Sequence, residues 1–97
     1  MRIFAQAKVL AVEGDRERVV FGKKSVCAFL VLQTLDGSTL CANCIGKDRI
    51  AICREKMQND QVVDFILTIT GKLHKSDDPD RPDFYANDVY VKWILYG

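Results

Sequence analysis

Strict alternation opens the chain. In RIFAQAKVLAVE, Arg2–Glu13, the residues Ile3, Ala5, Ala7, Val9 and Ala11 fall on one side. Phe4, Gln6, Lys8, Leu10 and Val12 fall on the other, the period of a β-strand. GDRERVVFGKKS follows, with Arg16, Arg18, Lys23 and Lys24 around a short apolar VVF. It reads as a long loop or a bent continuation of the strand. VCAFLVLQTLDGSTLCANCI then places two apolar runs around Asp36-Gly37, a hairpin signal. Two registers compete. A two-residue turn pairs Leu35 with Ser38 and puts Asn43 on the face of Leu30 and Leu32. A three-residue loop, Leu35-Asp36-Gly37 with Gly37 left-handed, pairs Thr34 with Ser38. It gathers Ala28, Leu30, Leu32, Leu40, Ala42 and Cys44 on one face. Cys27, Phe29, Val31, Gln33, Thr39, Cys41, Asn43 and Ile45 share the other. The second register separates apolar from mixed side chains better and is the one expected, because a one-residue slip turns a whole strand over.

GKDRIAICREKMQND reads as a helix, with Ile50, Cys53 and Met57 as its apolar stripe and Asp48 to cap or acidify its start. The alternation returns in VVDFILTITGKLHK. Val63, Phe65, Leu67 and Ile69 form the inner face; Asp64, Ile66, Thr68, Thr70, Lys72 and His74 form the outer one. SDDPDRPD is a loop. In the last strand, FYANDVYVKWILYG, Val89, Val91, Trp93 and Leu95 alternate with Asp88, Tyr90, Lys92 and Ile94, so Trp93 is expected in the core. The order is β-β-β-α-β-β. This is the order of an all-β, five-stranded Greek-key barrel with a helix between strands three and four, the OB-fold. A β-sandwich fragment of similar order is the alternative.

Composition narrows this picture. The 97 residues make a single domain, 1–97, with room for one modest core. The net charge of +1 excludes a strongly cationic protein but not a locally basic groove. No apolar run reaches the about 20 residues of a membrane span, and no membrane partner is expected. The N-terminus has no signal-peptide pattern, so a cytoplasmic protein with reduced thiols is expected.

The long hairpin VCAFLVLQTLDGSTLCANCI, the strand VVDFILTITGKLHK and the closing strand after an extended loop carry a resemblance. Together they look like a compact single-stranded-DNA-binding OB domain. The layout is similar to the bacterial single-stranded-DNA-binding protein and primosomal protein B families. The resemblance is one of layout over nearly the whole chain. It implies a largely sequence-nonspecific single-stranded-DNA-binding protein in replication, repair or recombination. Bacterial single-stranded-DNA-binding proteins usually carry a glycine-rich linker and an acidic tail beyond the barrel, whereas the sequence here stops at KWILYG, where its last strand ends. Tail-dependent recruitment is therefore not part of what the resemblance leads one to expect. The loop before the last strand is acidic, so DNA contact by its tip does not carry over either.

Binding a single strand takes cations for phosphates and aromatic faces for bases. OB proteins place these on strands two and three, between the loop joining strands one and two and the loop joining strands four and five. The candidate cations are Lys8, Arg16, Arg18, Lys23, Lys24, Lys72, Lys75 and Lys92. The candidate stacking groups are Phe4, Phe21, Phe29, Tyr85 and Tyr90. Asn43 and His74 share the same mixed outer faces. Against this stands a blander reading, in which outer charges merely meet solvent and outer aromatics form an oligomer interface. A homodimer or higher homo-oligomer is expected in either case, since under the nucleic-acid reading it extends a short groove. Two other functions stay open. One is a protein-interaction OB module using Phe29, Val31, Ile45 and Ile66; the other is an RNA-binding OB domain, with DNA preferred.

Enzyme chemistry is not expected. The lone His74 has no nucleophile or carboxylate at a recognisable spacing, and no glycine-rich phosphate loop occurs. Asp77, Asp78, Asp80 and Asp83 lack the spacing of a calcium loop. Cys41 and Cys44 suggest a metal pair, but three residues apart in a strand they point to opposite faces, about 10 Å from each other. No metal or cofactor is expected.

Overall fold

Local chemistry sets the register of the hairpin at Asp36-Gly37. In the computed structural model, which describes residues 1–95, Thr39 pairs with Gln33, Ala42 with Leu30 and Cys44 with Ala28. The Thr34 N–H donates to the Ser38 carbonyl at 2.9 Å and the Gly37 N–H to the Thr34 carbonyl at 3.0 Å. This is the three-residue loop expected from sequence. Gly37 has a φ of +87°, which a side chain would oppose. Asp36 accepts hydrogen bonds from Thr34 Oγ1 and from the Ser38 N–H. The Thr34 bond first, then that from Ser38, holds the Asp36 carboxyl below the usual carboxylate range.

The elements follow as β1 Arg2–Val20, β2 Lys23–Thr34, β3 Thr39–Ile45, α1 Lys47–Gln58, β4 Val62–His74 and β5 Phe84–Leu95. The expected end of β5 at Tyr96 and Gly97 lies outside the described residues. The strands close in the order β1-β2-β3-β5-β4, all neighbours antiparallel except β3 and β5. This is the five-stranded OB-type barrel, with its helix between β3 and β4. The closing contact is parallel and short, with Asn43 opposite Tyr90. Asn43 Nδ2 reinforces it by donating to the Val89 carbonyl at 3.2 Å.

Alternation becomes packing inside the barrel. Ala7, Val9, Leu30, Leu32, Ala42, Cys44, Val63, Phe65, Leu67 and Val91 are buried there, and Ile50 and Cys53 of α1 pack against them. Gly46 stands at the helix N-cap without a side-chain cap bond. Asp48 thus does not cap α1; it places a carboxylate in the first turn, where the helix dipole favours it. Among the described residues, no helix is long and apolar enough to cross a membrane.

Three β-bulges redirect side chains that strict alternation misassigns. Val9 pairs with Leu32 but Ala11 with Val31, so Leu10 is an extra residue, and Val12 rather than Ala11 turns onto the core opposite Leu30. Gly14 and Asp15 together face one residue of β2. In β5, Leu67 pairs with Val91 but Ile66 with Trp93, so Lys92 is the extra residue. Beyond it Ile94, expected outside, packs on the core, whereas Trp93 and Leu95, expected inside, stand exposed. A bulge bends and twists a strand, which a closing barrel needs, and the unpaired residue reverses every later side chain.

The charged stretch after Glu13 is the bent strand continuation, not a loop. Residues 16–20 pair with 23–27 and project as a two-stranded arm. Residues 70–74 pair with 84–88 and form a second. These arms account for a radius of gyration of 14.6 Å, against about 12.5 Å for a compact chain of this length.

Cys41 is exposed, while Cys27, Cys44 and Cys53 are buried. Cys27 was expected outside. It lies where the first arm leaves the barrel, between Arg16 and Ile45, and is covered there. A hydrogen bond with Cys44, followed by burial, pushes the Cys53 thiol up, so it stays protonated. Alkylation of the native protein at neutral pH should therefore modify Cys41 fast and the other three only as the protein opens. Mass spectrometry showing two or more thiols lost at the fast rate would contradict this burial.

Candidate nucleic-acid interface

The first arm ends in a turn at Phe21-Gly22. Both residues have positive φ, 50° and 77°. Hairpin turns of this kind favour Asn-Gly, because a bulky residue in the left-handed region is strained. Phe21 takes the strained position, and its ring is wholly exposed. A cleft of about 510 Å³ lies between the arm and strands β3, β4 and β5. Its walls are Arg18, Val19, Val20 and Phe21 of the arm, Ile45 of β3, Thr68 and Thr70 of β4, and Tyr90, Val91 and Lys92 of β5. Arg18 and Lys92 bring positive charge, while Phe21 and Tyr90 bring ring faces. The cleft size lies within the about 300–1,000 Å³ common for ligand sites.

Four expected site residues thus meet in one place: Arg18, Phe21, Tyr90 and Lys92. Lys23 and Lys24 stand exposed just past the turn, paired with Val20 and Val19. Phe29 and Asn43 continue the row from Tyr90 across β3 and β2. The Arg16 guanidinium covers Phe29 at 4.4 Å from the ring centre, a cation–π contact. Asn43 is half-buried, its amide spent on barrel closure.

The remaining expected residues lie elsewhere. Phe4 is on the outer face of β1, beside Ile66. Lys8 pairs with Asp60 at 3.2 Å. Lys72 and His74 lie on the second arm, where His74 stacks on Phe84 at 5.4 Å and its Nε2 sits 3.6 Å from Asp88. Tyr85 pairs with Leu73, on the other side of that arm from Lys72 and His74. Of the apolar residues expected to meet a protein partner, Val31, Ile45 and Ile66 are half-buried.

Protein-family models, curated proteins and solved structures were compared with the chain, and none matches. The cleft must therefore be read from its own chemistry. Sequence reasoning missed its neutral walls, Val19, Val20, Thr68 and Thr70. It also missed Arg49 of α1, whose guanidinium lies 5.6 Å from the Trp93 ring. The unbroken apolar triplet Trp93-Ile94-Leu95 was the available signal, since three apolar neighbours cannot all face inward.

Proposed function

We propose that this protein binds single-stranded nucleic acid, DNA in preference to RNA, with little regard to sequence and without catalysis. One observation carries the reading: Arg18, Phe21, Tyr90 and Lys92, from separate strands and a turn, line one open cleft on an OB-type barrel. Phosphates would meet the cations and bases would stack on the rings, neither of which selects a sequence. The layout resemblance to bacterial single-stranded-DNA-binding proteins supports DNA and a role in replication, repair or recombination. Homodimers or higher assemblies would lengthen the track, and the two arms offer strand edges on which copies could add.

The test is fluorescence anisotropy of labelled oligo-dT and oligo-rU at two salt concentrations. Oligo-dT should bind more tightly than oligo-rU, and log affinity should fall with log salt by about 0.7 per phosphate contacted. No binding to any oligomer at low salt would sink the proposal. Equal or tighter binding of oligo-rU would instead make this an RNA-binding domain.

The strained turn adds a sharper expectation. Phe21→Asn should relieve the left-handed cost and raise stability by about 1 kcal/mol. It should also weaken oligo-dT binding by removing a stacking face. A variant that gains stability with unchanged affinity would show that Phe21 does not touch the strand.

A further inference from the structure

We infer that the bound strand leaves the cleft along β5 and stacks a base on Trp93, a second contact site on the outer face of β1, β4 and β5; this rests on the cleft reading above. The bulge at Lys92 turns Trp93 outward, where half of its surface is exposed. Two cations flank the indole. The Arg49 guanidinium lies 5.6 Å from the ring centre and the Lys92 ammonium 5.5 Å. Arg49 is also anchored at the bulge, donating to the Val91 carbonyl at 3.4 Å. Lys92 belongs to both places, since it lines the cleft and overhangs Trp93. Cleft and indole are therefore adjacent through Lys92.

The chemistry favours a nucleic acid over a protein chain. Phe4, Ile66 and Trp93 form one row across three strands, with Phe4 and Trp93 exposed. An apolar row of this kind on a small domain marks a contact surface. Protein interfaces, however, bury a core poor in lysine. Here the largest ring sits between an arginine and a lysine, the pairing of stacking face and phosphate-binding charge that a single strand uses. Asp64, one row further on, accepts a hydrogen bond from Gln6 at 3.1 Å.

Trp93 is the only tryptophan, so its fluorescence reports this site alone. OB folds engage about 4–16 nucleotides, so a dT4 oligomer fills the cleft and a dT16 oligomer reaches beyond it. In the unaltered protein, dT16 should quench Trp93 strongly and dT4 should not. Trp93→Ala should weaken dT16 binding about 5- to 150-fold, the worth of one stacked base, and leave dT4 binding unchanged. Arg49→Gln should lower the salt slope for dT16 by about 0.7. Thermal melts of both variants verify the fold, and the quenching result stands without any variant. Tight dT16 binding with no quenching, or with Trp93→Ala equal to the unaltered protein, overturns this inference and leaves the cleft reading intact. Trp93→Ala turning a dimer into a monomer at unchanged dT16 affinity also overturns it, because the face then joins copies of the chain. No binding of either oligomer removes the cleft reading, and this inference with it.

Discussion

Phe65→Ala should cost about 3–5 kcal/mol of stability, the range for removing a buried aromatic ring. Among the described residues, Phe65 is the largest fully buried side chain, near the start of β4 in the part that belongs to the barrel. Its neighbours across the ladder are Ala5 and Ile94. Ala5 is too small to fill the space, and Ile94 is reached only because the bulge at Lys92 turns it inward. The hole would thus open where three strands rely on one ring. Small domains hold about 5–15 kcal/mol in total, so this single change removes a large share. Urea unfolding followed by circular dichroism reads it as a lower midpoint at an unchanged slope. Phe21→Ala is the control, because that ring touches solvent and should cost little. A loss below about 1 kcal/mol at Phe65 would mean that the barrel does not centre on it.

Removing both cleft rings should reduce oligo-dT affinity by about 30-fold or more. Each base–aromatic stack is worth about 1–3 kcal/mol, so Phe21→Ala with Tyr90→Ala sums to at least about 2 kcal/mol. Arg18→Gln with Lys92→Gln probes the other term. Each lost phosphate contact should lower the salt slope by about 0.7, whereas the aromatic pair should leave the slope unchanged. Separating affinity from slope distinguishes stacking from charge, which a single dissociation constant cannot do. Tyr90 is half-buried beside Asn43 at the barrel closure, so its variant needs a melting curve alongside. Full affinity and full slope in both double variants would place the strand outside this cleft.

The two effects depend on different information in the chain. Phe65 was legible as core from alternation alone, since Val63, Phe65 and Leu67 repeat at the strand period. The cleft was legible only as a set of residue types. Arg18, Phe21, Tyr90 and Lys92 could be named as cations and rings, but so could Phe4, Lys8 and Tyr85, which the fold carries elsewhere. Nothing local distinguishes the two groups, because the arm that gathers the first is aimed by the barrel beneath it.

The sequence by itself determined the order of strands and helix, the helix's apolar stripe, and the register of the Asp36-Gly37 hairpin, but not how far β1 and β2 run. Each depends on side chains close together in the chain, where a period of two, a stripe of buried positions or a left-handed glycine is enough. Only the tertiary structure decided where alternation breaks. A bulge carries little signature in residue type, and closing a five-stranded barrel sets where a strand must bend. That requirement turned Val12 and Ile94 inward and Trp93 outward. It also brought Arg49 of α1 beside an indole that periodicity assigns to the core.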